Sequence, residues 1–203
     1  MNNQFIVFLL KITSEGIQMH HHYFKLYKPF GYVSQFITND RHAKKKKFLG
    51  ELGNFPEGTM AVGRLDETSE GLLLLTTDGK FSYSITGTSI EKEYYVLVDG
   101  LITSEAIQQL EKGVVISIER TSYQTKPCSA KQIDTPKLPA TLQRIRDHRH
   151  GPSSWISITI NEGKFRQVRK MTAAVGYPTL RLARVRIGDY TIDGMECGSV
   201  LEI

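Results

Sequence analysis

Apolar and polar residues alternate in short runs separated by turn residues along most of the chain, a pattern that predicts many short strands. Tyr23-Phe24-Lys25-Leu26-Tyr27-Lys28 reads as a strand, closed by the turn signal Pro29-Phe30-Gly31. Asn39 to Lys47 is polar, ends in the four lysines Lys44 to Lys47, and reads as a loop. Thr59 to Leu65 and Leu72 to Thr76 read as short buried strands around a polar turn from Asp66 to Gly71. Asp78-Gly79 reads as a tight turn that ends the second of them. Glu93 to Val98 is a further strand, Val114 to Ile133 looks like a pair of strands, and Trp155 to Ile160 puts Ile156, Ile158 and Ile160 on one face.

Helical spacing is confined to two places. Thr103 can cap a helix that carries Glu105 in its first turn, Ile107 and Leu110 on one side, and Gly113 beyond its end. Phe165 to Val175 places Val168, Met171 and Val175 on a buried stripe, with Arg166, Arg169 and Lys170 on another face, before Gly176 and Pro178 stop it. Leu180 to Ile187 returns to alternation, but the period slips near Ala183 and Arg184, which predicts a bulge. Many strands following one another with few helices predict an α+β fold with a largely antiparallel sheet. Residues 1 to 18 carry no such pattern and read as a weakly ordered extension, one that could precede the true start codon. Residues 19 to 203 then form a single domain.

Charge changes this picture by its distribution. The net charge is +5, yet Lys137 to Asp189 alone holds eleven Lys or Arg against three Asp or Glu. Such focusing suits a surface that faces phosphate, although a solvated basic face gives the same count. Phe5 to Leu10 is too short an apolar run for a membrane span, so a soluble protein is expected. Cys128 and Cys197 are far apart and outside any CxxC pattern, which fits a reducing cytoplasm rather than a disulfide framework. His20-His21-His22 lacks a second group of ligands, so no metal site is expected.

Asp66 is the residue with the most chemistry in prospect. A strand ending in Gly63-Arg64-Leu65-Asp66 that turns and resumes as four leucines sets a carboxylate at the rim of a rigid sheet. The plain alternative is a turn aspartate bonded to its own backbone. Between Glu51 and Asp78 the acidic residues Glu51, Glu57, Asp66, Glu67, Glu70 and Asp78 face Arg64 alone. A reactive carboxylate in that company needs a cation from elsewhere to stay charged.

Three motifs in order carry a resemblance that supplies such a cation. Gly63-Arg64-Leu65-Asp66 with Ser69-Glu70-Gly71-Leu72-Leu73-Leu74-Leu75-Thr76-Thr77-Asp78-Gly79 resembles the signature of the small-subunit-type ribosomal pseudouridine synthases. Lys92-Glu93-Tyr94-Tyr95-Val96 and Glu162-Gly163-Lys164-Phe165-Arg166-Gln167-Val168-Arg169-Lys170-Met171 are similar to the two other motifs of that family, except that Lys170 stands where arginine is usual. The likeness runs from about Tyr23 to Asp189. It implies the family's catalytic fold, a mostly antiparallel mixed sheet with a few helices and two lobes around a central basic cleft. It also implies that Asp66 is catalytic, that Tyr94 packs against the target base, and that Arg169 pairs with Asp66. The surrounding segments resemble a subgroup that acts on large-subunit ribosomal RNA, without the accessory RNA-binding domain that many relatives carry in front.

Converting uridine to pseudouridine breaks the N1–C1′ bond, turns the base and joins C5 to C1′, with no change of oxidation state and no need of metal or cofactor. One carboxylate suffices, as nucleophile at C1′ or as a base acting on the sugar. The uridine must leave its stack, and Arg64 can fill the vacated space or, alternatively, bridge to Glu67 or Glu70. Lys164, Arg166, Lys170, Arg181, Arg184 and Arg186 are the expected phosphate contacts, and the Lys44 to Lys47 run either extends that surface or is solvated loop. A monomer is expected. An inactive RNA-binding or ribosome-assembly module on the same fold is the competing reading, and intact Asp66, Tyr94 and Arg169 weigh against it. A metal-dependent nuclease lacks a second carboxylate motif to pair with Glu67, Glu70 or Asp78.

Overall fold

The computed structural model describes residues 20–37, 45–87 and 90–203; the expected N-terminal extension and most of the Asn39 to Lys47 loop lie outside the described residues. The elements are β1 (Tyr23–Lys28), β2 (Met60–Val62), β3 (Glu70–Thr76), α1 (Gly79–Thr86), β4 (Lys92–Asp99), α2 (Ser104–Lys112), β5 (Val115–Ile118), β6 (Thr121–Gln124), β7 (Ser129–Ile133), β8 (Ser153–Ile160), α3 (Gln167–Ala174), β9 (Thr179–Ile187), β10 (Tyr190–Thr191) and β11 (Val200–Glu202). Nine strands form one sheet in the order β11-β1-β3-β9-β4-β8-β7, with β2 beside β3 and β10 beside β9. Every pairing is antiparallel except β3 with β9. The sheet is therefore mixed, in an α+β arrangement as the pattern predicts.

Strand β9 sits between β3 and β4, so it joins two lobes that are otherwise separate in the sheet. In the lobe of β4 and β8, Tyr94, Val96 and Val98 meet Ile156, Ile158 and Ile160 under α2 and α3. In the other lobe, Leu72 and Leu74 pack on Tyr27, Val185 and Ile187, while Leu73 and Leu75 turn to Phe24, Leu26 and Leu49 on the opposite face. That is why β3 is buried at every position and reads as a leucine run rather than an alternation.

One glycine makes the crossing of the lobes possible. Gly71 has φ +103°, and a Cβ there would lie 2.2 Å from the Arg184 carbonyl oxygen. Only glycine lets β3 approach β9 at this point.

Thr103 caps α2 as expected, accepting from the Ala106 N–H at 3.3 Å, and Leu110 is fully buried beneath it. Strand β9 slips twice against β4: Val185 is left over between Glu93–Arg186 and Tyr94–Arg184, one residue beyond the expected slip, and Leu180 is left over between Leu97–Arg181 and Val98–Thr179. Three expectations are corrected. Asp78-Gly79 starts a helix rather than closing a turn, because the Asp78 carboxylate accepts from the Lys80 N–H at 2.8 Å and caps α1. Val114 to Ile133 holds three strands, of which β5 and β6 form a separate hairpin. Arg166 is not on the face of α3 but precedes it in a left-handed conformation (φ 53°), so the helix starts at Gln167.

Candidate active site

A concavity lies where the two lobes meet. It has a volume of about 390 Å³, within the range of ligand clefts, and it draws its walls from the Val62–Asp66 segment, the end of α1, β4, β9 and residues 160 to 168. Asp66 and Tyr94 both line it. Tyr94 is at once part of the β4–β8 core and a wall of the cleft, so its ring is fixed by packing on one side and available on the other.

The Asp66 turn is held from three directions. Gly31 N–H donates to the Glu67 carbonyl at 2.8 Å, and Ser34 Oγ donates to the Leu65 carbonyl at 2.7 Å while accepting the Leu65 N–H at 3.0 Å. The loop after β1 therefore grips the residues on either side of Asp66. Beneath that loop Lys28 is fully buried, its Nζ donating to the carbonyls of Pro29 (3.0 Å) and Tyr32 (2.6 Å). Burial, reinforced by the charge of Arg184, lowers its pKa to about 7 against the opposing pull of Glu70, Asp66 and Glu67.

From α3 comes the third restraint. Arg169 Nη2 donates to the Thr68 carbonyl at 2.5 Å and to Ser69 Oγ at 3.5 Å, and Arg166 Nη1 donates to Thr68 Oγ1 at 3.1 Å. Arg169 makes no salt bridge with Asp66 within 4.0 Å in this structure, although the charge of Asp66 acts on it. It braces the backbone of the turn from behind, and its buried Nε has no partner among the described residues. Burial and the neighbouring Arg166 hold its pKa below the usual arginine range, while the charge of Asp66 pulls it back up.

The basic residues expected to touch phosphate divide into two groups. Arg64, Lys164 and Arg166 line the cleft, and Arg64 is exposed there with no bridge to Glu67 or Glu70. Glu67 pairs with Lys46 at 3.1 Å and the buried Glu70 pairs with Arg181, so those two acids of the Asp66 neighbourhood are matched by cations. Arg181 is thereby committed to Glu70 and to the Pro139 carbonyl. Arg186 is likewise held by Glu91 (2.9 Å) and Glu93 (3.1 Å), and Lys170 donates to the Ser117 carbonyl at 2.7 Å. Arg184 is only 4% exposed and lines the cleft from within, so it is not a surface phosphate contact.

Residues without an expected role also meet at the cleft. Lys92, Tyr123, Lys126 and Glu162 line it. The Glu162 carboxylate accepts from Tyr123 OH (2.5 Å), Lys126 N–H (3.0 Å) and Gln167 Nε2 (2.5 Å), which ties the β5–β6 hairpin to the start of α3. These hydrogen bonds hold its pKa below the usual carboxylate range in spite of burial. Lys92 and Glu162 stand inside two of the quoted motifs, and that was their only signal; Tyr123 and Lys126 lie outside all three.

Comparison with known proteins identifies the family. A family described as RNA pseudouridylate synthase matches residues 22–174. Ribosomal large subunit pseudouridine synthase E of Xanthomonas axonopodis pv. citri is 41% identical over 84% of this chain and 87% of its own length. The protein of that name from Vibrio parahaemolyticus is 36% identical over 87% of this chain and 71% of its own. Ribosomal small subunit pseudouridine synthase A of Escherichia coli K12 is 34% identical over 84% of this chain and 65% of its own length. Among solved structures, a pseudouridylate synthase superposes with a TM-score of 0.72 at 26% identity, covering 91% of this chain and 70% of the other. The fold, the cleft and these relatives together make the chain a member of the RNA pseudouridylate synthase family.

Proposed function

We propose that this pseudouridine synthase isomerises a uridine of large-subunit ribosomal RNA, using Asp66 as its reactive carboxylate. The observation that carries the assignment is the meeting of Asp66 and Tyr94 in one cleft rimmed by Arg64, Lys164 and Arg166. The relatives named for the large subunit support the choice of RNA. Tyr94 offers the target uracil a flat face at a fixed height, Arg64 occupies the space the uridine leaves, and Lys164 and Arg166 hold the phosphates on either side. Arg169 acts through the Thr68 carbonyl, setting the position of the turn rather than pairing with the carboxylate. In this reading the enzyme works in the cytoplasm as a monomer and needs neither metal nor cofactor; no described helix is long and apolar enough to cross a membrane.

The deciding experiment replaces Asp66 by Asn and measures pseudouridine formation in a large-subunit transcript. Loss of at least about 10⁴-fold in rate, with RNA affinity retained, is expected for a residue at the centre of the chemistry. Unchanged turnover by D66N would end the assignment. Mapping pseudouridines in ribosomal RNA from cells with and without the gene then identifies the uridine.

A further inference from the structure

Arg184 is the least expected side chain in the cleft. It is 4% exposed, yet it faces the same concavity as Asp66 and Tyr94, and it lies opposite Tyr94 in the β4–β9 register. Its Nε donates to the Leu72 carbonyl at 2.8 Å and its Nη1 reaches the Arg64 carbonyl at 3.4 Å. Those two bonds fix the guanidinium plane. Its Nη2 is buried with no protein acceptor among the described residues, and no carboxylate of those residues forms a salt bridge with the group. A fixed, dehydrated N–H donor without an acceptor is costly in a protein interior unless something arrives to take it. The charge of Arg184 is also felt by its neighbours: it lowers the pKa of Lys28 and of Lys92, each already lowered by burial. This end of the cleft therefore carries a buried positive charge, an environment that favours developing negative charge.

Resting on the reading of the chain as a uridine isomerase, we infer that Arg184 is a catalytic residue whose free Nη2 donates to a carbonyl oxygen of the target uracil and stabilises the base as it leaves the sugar. When the N1–C1′ bond breaks, its electron pair stays on the base and the charge spreads to O2 and O4. Arg184 keeps its proton and contributes a hydrogen bond and a positive charge to that oxygen. C5 then bonds to C1′, the C5 proton is lost, N1 is protonated, and product and substrate have the same composition. The base platform of Tyr94 and the donor of Arg184 come from adjacent strands, so the ring is held by one and polarised at its edge by the other.

The experiment compares Arg184→Gln and Arg184→Lys with the unmodified protein under single-turnover conditions. The substrates are transcripts carrying uridine or 5-fluorouridine at the target, and the readout is disappearance of the N1-linked nucleoside. Removing a preorganised donor of this kind lowers the chemical rate by about 10²- to 10³-fold, so R184Q should show that loss on uridine with little change in KM. Fluorine stabilises the departing base by itself, so the loss should shrink several-fold on 5-fluorouridine. R184K keeps a cation without the guanidinium fork and should fall between the two, with the same rescue; it carries the test if the Gln variant does not fold. Equal losses on both substrates, or a change confined to KM, overturn the inference. Because the unmodified protein forms pseudouridine in the same assay, that outcome leaves the assignment of activity intact.

Discussion

Lys28 and Arg169 show how a single buried cation can serve a site without touching its substrate. Lys28 is held at a pKa of about 7 in the folded protein, whereas an unfolded chain restores it to its ordinary 10.5. Between those values the unfolded state binds the extra proton, so stability rises with pH across the window, and the full cost of the buried charge is present below pH 7. Thermal melting as a function of pH should show this rise, and Lys28→Met should flatten it; parallel profiles for the two proteins would contradict the assignment. Arg169 braces Thr68 and Ser69 two and three residues after Asp66. Small misplacements of a reacting group cost on the order of 10²-fold in rate. Arg169→Met is accordingly expected to reduce kcat by about that factor, with KM for RNA changed little. Asp66 and Tyr94 were legible from their motifs. The brace was not, because motif spacing names a cation near the carboxylate and does not say which atom it grips.

At the scale of elements, what could be read depended on whether an element buries a stripe. Helix α2 was visible because Leu110 and its cap have a helical signature, and the structure gives Leu110 no exposed surface. Leu110→Ala should cost roughly 2–5 kcal/mol of stability by opening a cavity under α2. Denaturant unfolding measures this, and single-turnover rates should hold, since Leu110 does not line the cleft. Helix α1 was missed because none of its residues is fully buried and its apolar stripe is only the partly buried pair Phe81 and Ile85, too short to outweigh the Asp78-Gly79 turn signal. The hairpin of β5 and β6 was read only as strand, since nothing in its sequence announces that it leaves the main sheet. Gly71→Ala tests the crossing of β3 and β9: with a Cβ directed at backbone atoms, destabilisation above about 3 kcal/mol is expected. Calorimetry would show this as a clear drop in Tm.

Across the whole molecule, the excess of basic residues between Lys137 and Asp189 is less free than its sequence count implies. Arg181 and Arg186 are matched by Glu70, Glu91 and Glu93, partners 93 to 111 residues away, which no local reading could supply. Binding of RNA should therefore depend on Arg64, Lys164 and Arg166 rather than on the whole basic segment. Each phosphate contact removed lowers the slope of log K against log salt by about 1. A Lys164→Gln, Arg166→Gln double variant should lose about two units of slope, while Arg186→Gln should lose almost none. Titrations of labelled RNA over a range of potassium chloride distinguish these outcomes.

The insertion of β9 between β3 and β4 has a consequence for the order in which the molecule can be made. The residues of the cleft come from Arg64 to Asp66, from Tyr94 and from Arg184, and no pairing joins the first two groups until residues 179 to 187 arrive. During synthesis the two lobes can each condense on the ribosome, but they remain side by side without a shared sheet. Contacts so distant along the chain close slowly. Activity should thus appear late, as a step that follows the formation of most secondary structure. A nascent chain released before Thr179 would carry Asp66 and Tyr94 in two halves that share no sheet, joined only by side-chain bonds such as those from Arg166 and Arg169 to Thr68.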